Sequence, residues 1–128
     1  MAGTLNTLSP AQLEIMQIVW EQGEASVADV WRLLGARRKV ARNTVLTLMT
    51  RLAKKGWLKC RPDGNSFIYS AAVERRKTLR GLVARLLETA FAGSSEGLVT
   101  ALLDARNLPP DEAARIRAMI GQAEKNGK

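Results

Sequence analysis

Ten basic side chains stand between residues 32 and 61 with no acid among them: Arg32, Arg37, Arg38, Lys39, Arg42, Arg51, Lys54, Lys55, Lys59 and Arg61. The gap between Arg42 and Arg51 holds uncharged hydrogen-bonding residues, Asn43, Thr44 and Thr47. A block this one-sided repels itself unless something negative lies beside it. Nucleic-acid phosphates draw Lys and Arg and release counterions as they do so. An amide and two hydroxyls can donate to and accept from base edges. The chemistry on offer is therefore recognition of a polyanion, not bond making.

Nothing else in the chain competes with that reading. There is no histidine and a single cysteine, Cys60. One thiol builds neither an internal disulfide nor a zinc site. No Ser or Cys sits in a nucleophile motif, no glycine loop could cradle a phosphate, and the carboxylates are scattered. No catalytic residue, metal or cofactor is expected. The lack of disulfides suits a reducing cytoplasm, and no apolar run is long enough to cross a bilayer. The amino terminus lacks a signal-peptide pattern, so a soluble cytoplasmic protein is expected.

The 128 residues fit one small domain, or one with an appendage. An apolar fraction of 46% and a charged fraction of 25% are ordinary, but the net charge of +8 is not. Residues 1–72 hold ten bases and five acids, a net +5; the remainder holds ten and seven, a net +3. Only the first part gathers its bases without acids.

The elements that must position these residues follow from capping signals and periodicity. Met1–Thr7 reads as a loose arm. Ser9-Pro10-Ala11-Gln12 starts a helix with capping-box spacing. Leu13, Met16, Val19 and Trp20, widened by Ile15, form its apolar stripe, and Gly23 stops it. Ser26-Val27-Ala28-Asp29 starts a second helix, with Val27, Val30, Trp31 and Leu34 inward and Gly35 as its stop. A third helix runs from Asn43, as N-cap, to Gly56. At 100° per residue, Asn43, Thr44, Thr47, Thr50, Arg51, Lys54 and Lys55 share one side. Val45, Leu46, Leu48, Met49, Leu52 and Ala53 share the other. A strand from Trp57 to Arg61, a turn over Pro62-Asp63-Gly64-Asn65 and a strand from Ser66 to Ser70 follow.

Helix, helix, helix, hairpin is the order of a winged helix-turn-helix. The expected fold class is mainly α, with the DNA-binding unit over residues 8–72 and a helical dimerisation region over 73–128. In that tail Leu79, Leu82, Val83, Leu86, Leu87 and Phe91 mark a long amphipathic helix. A break at Ala92-Gly93-Ser94-Ser95 precedes a short helix carrying Leu98, Val99, Leu102 and Leu103. A last helix begins at Leu108-Pro109-Pro110-Asp111 and carries Ile116, Met119 and Ile120. About 55 residues struggle to bury a core alone, so these apolar faces are expected to meet a second copy.

On this frame Asn43, Thr44 and Thr47 are the candidate base readers, in the helix that a major groove admits. Arg37, Arg38, Lys39, Arg42, Arg51, Lys54 and Lys55 are the phosphate candidates, joined by Asn65 at the hairpin tip. Trp20, Trp31 and Trp57 are expected in the core. Phe67 and Tyr69 share one side of their strand and are expected to pack. Cys60 reads as a strand residue. The competing class is a dimeric interaction module or antirepressor whose basic face meets an acidic protein. Preference for a dyad sequence over random duplex separates the two.

Several runs resemble a known family. Leu8-Ser9-Pro10-Ala11-Gln12-Leu13-Glu14-Ile15-Met16, then Val19-Trp20, is similar to the opening of the penicillinase repressors of the BlaI/MecI type. Asn43-Thr44-Val45-Leu46-Thr47-Leu48-Met49-Thr50-Arg51-Leu52, then Lys55-Gly56, resembles their recognition helix. Phe67-Ile68-Tyr69-Ser70 resembles the end of their wing. The Gly93-Ser94 break and Leu98-Val99 resemble their tail. The resemblance implies a homodimeric repressor on a dyad-symmetric operator, controlling a β-lactam-resistance or related stress operon. It implies Thr44, Thr47 and Arg51, with Asn43, as DNA contacts. In antibiotic-inducible members an upstream membrane sensor-protease signal leads to cleavage at an Asn-Phe pair; Ala101-Leu102 stands there in this chain. Copper-responsive relatives carry paired cysteines near the carboxy terminus, and this chain has none. Asn65 stands where the family commonly has a basic wing-tip residue.

Overall fold

The computed structural model describes residues 8–127; the arm expected over Met1–Thr7 lies outside them. Six helices and three strands follow in the order α1 (Pro10–Gln22), β1 (Glu24–Ala25), α2 (Val27–Gly35), α3 (Arg42–Lys54), β2 (Leu58–Asp63), β3 (Ser66–Ala71), α4 (Arg75–Thr89), α5 (Ser95–Ala105) and α6 (Pro110–Lys125). This is a winged helix-turn-helix followed by helices, as the order of signals implies.

Local chemistry fixes the first two helix starts. Ser9 Oγ accepts from the Gln12 N–H at 3.1 Å, and Gln12 Oε1 accepts from the Ser9 N–H at 2.9 Å. Ser26 and Asp29 form the same reciprocal box at 3.1 and 3.0 Å. Each box satisfies donors that a helix start otherwise leaves open. The backbone N–H of Ser26, and then its hydroxyl, hold the Asp29 carboxyl below the usual aspartate range. That contribution is full above the unfolded value, about 3.9, and is lost as pH falls through the lower folded value. Ser26→Ala is expected to cost about 1 kcal/mol at neutral pH, read as a lower urea midpoint at unchanged slope.

The end of α3 is equally local. Gly56 has φ +90°. Its N–H donates to the Ala53 carbonyl at 3.2 Å, and the Trp57 N–H donates to the Leu52 carbonyl at 2.9 Å. This pair of bonds is a Schellman motif, which needs a residue tolerant of positive φ at the position of Gly56. Leu52 and Trp57, the two apolar residues that bracket the motif, both lie in the core.

One core unites α1, α2, α3 and the sheet. Ile15, Met16, Val19, Val30, Leu34, Val45, Met49 and Leu52 are fully buried in it, joined by Ile18, Ala25, Trp57, Leu58 and Tyr69. Trp20 packs against it and donates its indole N–H to the Val73 carbonyl at 3.0 Å, which ties the chain after the hairpin to α1.

The hairpin differs from its expected form. β2 runs on through Pro62 to Asp63, and Asp63 pairs with Ser66, leaving only Gly64 and Asn65 as the loop. Gly64 takes the positive φ, +63°, which glycine supplies at the first position of a two-residue loop. Pro62 is tolerated because β2 is an edge strand in the sheet order β1-β3-β2. The third strand, β1, pairs Glu24 with Ser70 and Ala25 with Tyr69. Two residues are too few to carry a period, so the sequence shows only the Gly23 stop before them.

The chain divides into two compact units, residues 1–84 and 85–128, with the boundary inside α4. In the first unit, α4 buries Thr78, whose hydroxyl donates to the Glu74 carbonyl. In the second, no described residue is buried.

Candidate nucleic-acid interface

Asn43, Thr44 and Thr47 are all exposed on α3, as are Arg51 and Lys54 further along it and Lys55 at its C-cap. Val45, Met49 and Leu52 are fully buried on its other side. The helix therefore presents amide, hydroxyls and cations together, with its apolar line anchored in the core. Arg51, Lys54 and Lys55 have no ion-pair partner among the described residues.

The helix begins two residues earlier than expected, and Asn43 is not its cap. Ala41 holds the N-cap position with φ −78° and ψ 144° and supplies no side-chain oxygen. Its carbonyl accepts from Thr44 and Val45 at 3.1 and 3.3 Å. The cause is tertiary. Trp31 donates its indole N–H to the Val40 carbonyl at 2.9 Å, which pins the connection just before α3. Asn43 thus becomes the second helical residue, and its side chain is not spent on the backbone. Arg42 opens the helix, and the first turn has no acid. The positive end of the helix dipole and the Arg42 charge add there.

Trp31 itself is not core. It is 41% exposed, because its ring lies over the connection rather than under α2. With Ala28, Arg32, Gly35, Lys39 and Val40 it lines a shallow groove beside the basic turn. Arg37, Arg38, Lys39 and Arg42 are all exposed in this stretch.

The acid-free block is not acid-free in space. Glu14 of α1 receives Arg38 at 2.8 Å, Glu24 of β1 receives Arg61 at 3.1 Å, and Asp29 receives Arg32 at 3.5 Å. The Arg61 hydrogen bonds and charge hold the Glu24 carboxyl below its usual range. Arg37, Lys39, Arg42, Arg51, Lys54, Lys55 and Lys59 keep no such partner among the described residues. They are the cations whose field is least cancelled.

At the hairpin Asn65 is exposed at the tip, and Phe67 is 53% exposed where packing was expected. Tyr69, on the same side of β3, is buried. The strand carries Phe67 out beyond the core that covers Tyr69. Burial pushes the Tyr69 hydroxyl above its usual range. Cys60 is exposed, opposite Tyr69 in register.

Leu46 is the other departure. The expected inward side of α3 included it, yet it is 45% exposed. At 100° per residue it stands roughly 90° from the line of Val45, Met49 and Leu52, which is too far round to reach the core. That angle was the available signal.

The family model described as penicillinase repressor matches residues 8–122. The methicillin resistance regulatory protein MecI of Mammaliicoccus sciuri is 26% identical over 115 residues, spanning 90% of this chain and 94% of that one. The penicillinase repressor of Bacillus licheniformis is 23% identical over 121 residues, 94% of each. Among solved structures, the DNA-binding domain of the repressor BlaI superposes with a TM-score of 0.52 at 26% identity. It covers 56% of this chain and 88% of that domain. A match over nearly the whole described length, on a helix that sets hydroxyls and cations outward, leaves one conclusion: the chain belongs to the penicillinase repressor family, whose members are transcriptional repressors and not enzymes.

Proposed function

We propose that the protein represses transcription by binding a dyad-symmetric operator as a homodimer, one winged helix on each half-site. One observation carries the reading. α3 holds Asn43, Thr44 and Thr47 exposed on the same outward side as Arg51, Lys54 and Lys55, which have no ion-pair partner among the described residues. Asn43, Thr44 and Thr47, near the start of the helix, read base edges. Arg51, Lys54 and Lys55 hold phosphates, with Arg37, Arg38, Lys39 and Arg42 on the backbone beside the groove and Asn65 at the wing. Arg38 contributes least, since Glu14 already holds it.

Dimerisation rests on the second unit. None of its described residues is buried, and Leu86, Val99, Leu102, Leu103, Met119 and Ile120 are all exposed there. Apolar faces on this scale are covered by a partner in stable proteins. A second copy supplies a matching face through a two-fold axis, which is also the symmetry of a dyad operator. The relatives named for methicillin resistance and penicillinase point to a β-lactam-resistance or related stress operon. Ala101-Leu102 stands in the tail where the resemblance implies an Asn-Phe cleavage pair, which speaks against release by cleavage at such a pair and leaves the inducing signal open.

Selection from fragmented genomic DNA tests the reading. A dyad sequence should be retained over random duplex at moderate salt. On that sequence Thr47→Ala should reduce discrimination by roughly 1–3 kcal/mol at one base pair per half-site. Enrichment of no dyad, with capture of an acidic protein instead, would favour an interaction module.

A further inference from the structure

Leu46 lies at the edge of the proposed reading surface, beside Asn43. At helical spacings of three and four, Asn43, Leu46, Thr47 and Thr50 form one contiguous exposed patch on α3. Within it Thr50 has already donated its hydroxyl proton to the Leu46 carbonyl at 2.8 Å, so it offers no donor to a base. The patch therefore has two kinds of member. Asn43 and Thr47 can hydrogen-bond, while Leu46 presents carbon. Among major-groove base edges the apolar group is the C5-methyl of thymine. We propose that Leu46 is a specificity-determining residue that reads thymine through this methyl.

The inference rests on the reading of α3 as the base-reading helix. Cytosine lacks a group at the equivalent carbon, so a methyl contact separates the two pyrimidines without any hydrogen bond. Removing the methyl forfeits the burial of about one carbon, a loss of about fourfold in affinity per contacted thymine.

The experiment is a chemical double-mutant cycle on the selected operator, read by fluorescence anisotropy. Each thymine of one half-site is replaced in turn by deoxyuridine, which removes the methyl and nothing else. Wild-type protein should lose about fourfold at one or two positions. Leu46→Ala should bind more weakly overall and be indifferent to deoxyuridine at those same positions. With cytosine installed at those positions, 5-methylcytosine in its place should regain about fourfold for wild type and nothing for Leu46→Ala. Leu46→Gln, a tolerable change at an exposed site, should move the preference toward adenine, whose N6 and N7 a carboxamide can pair. Circular dichroism confirms that both variants fold. If the protein prefers its selected sequence but no thymine methyl couples to Leu46, the inference fails and the DNA reading stands. If it prefers no sequence, both fail.

Discussion

Met119→Glu combined with Ile120→Glu should leave the protein folded but monomeric, and should weaken binding to the full operator by on the order of 10²–10⁴-fold. These are the two most exposed large apolar side chains of the described residues, at 67% and 56%. Carboxylates at such positions cost a single copy little, since neither side chain supports the core. In a dimer they would be desolvated against the partner face without a counter-charge, which an apolar interface does not tolerate. Tethering supplies the large effect. Once one winged helix is bound, its partner faces the second half-site at an effective concentration near millimolar, and a monomer loses that advantage entirely. The added negative charge also weakens phosphate attraction, so the informative quantity is the ratio of full-site to half-site affinity. Half-site binding should fall only slightly, while the ratio collapses. Sedimentation should report a dimer for the wild type and a monomer for the variant. A wild-type monomer, or a variant that keeps its ratio, sinks the dimer assignment.

Where the fold is determined locally it can be read directly from the residues. Ser9 with Gln12 and Ser26 with Asp29 start helices because a hydroxyl and a side-chain oxygen three residues apart satisfy each other's backbone neighbours. Gly56 ends α3 because the turn needs positive φ. What escaped the sequence depends on residues far apart along it. Asn43 has a strong capping preference, but Trp31, nine residues before Val40, decides where the chain enters α3. Glu14 and Glu24 reach Arg38 and Arg61 across 24 and 37 residues, so counting acids within the basic block overstates its free charge. Phe67 obeys the period of its strand and still lies outside the core, since a period gives direction around an element and not the extent of what it faces; Leu46 is exposed for the plainer reason that it stands about 90° from the buried line of α3. The outward placement of the candidate base readers was legible for a simple reason. Exposure of Asn43, Thr44 and Thr47 needs only that Val45, Met49 and Leu52 be buried, and that line is strongly apolar.

Replacing Arg51, Lys54 and Lys55 together by alanine should lower the slope of log affinity against log salt by about 2.7 per half-site, at ~0.9 for each lost phosphate contact. At roughly 0.15 M salt this corresponds to a loss on the order of 10²-fold per half-site. The magnitude follows from counterion release: a cation that is already paired within the protein releases little on binding, and these three have no ion-pair partner among the described residues. Arg38→Ala is the internal comparison. Its guanidinium lies 2.8 Å from Glu14, so its removal should change the slope by less than any one of the three. Sequence preference should survive the triple substitution, because Asn43, Thr44 and Thr47 remain to read bases. Arg51 and Lys54 also lie in the last turn of α3, where cations oppose the helix dipole. Their loss costs some stability, and unfolding curves must show that the variant is folded at the assay temperature. A folded triple variant with an unchanged salt slope would mean that the phosphates are met elsewhere, with Arg37, Lys39, Arg42 and Lys59 the remaining unpaired cations of the block. A reduced slope with lost preference would instead mean that one of the three reads a base, with Arg51, nearest in the helix to Thr47, the first to test alone.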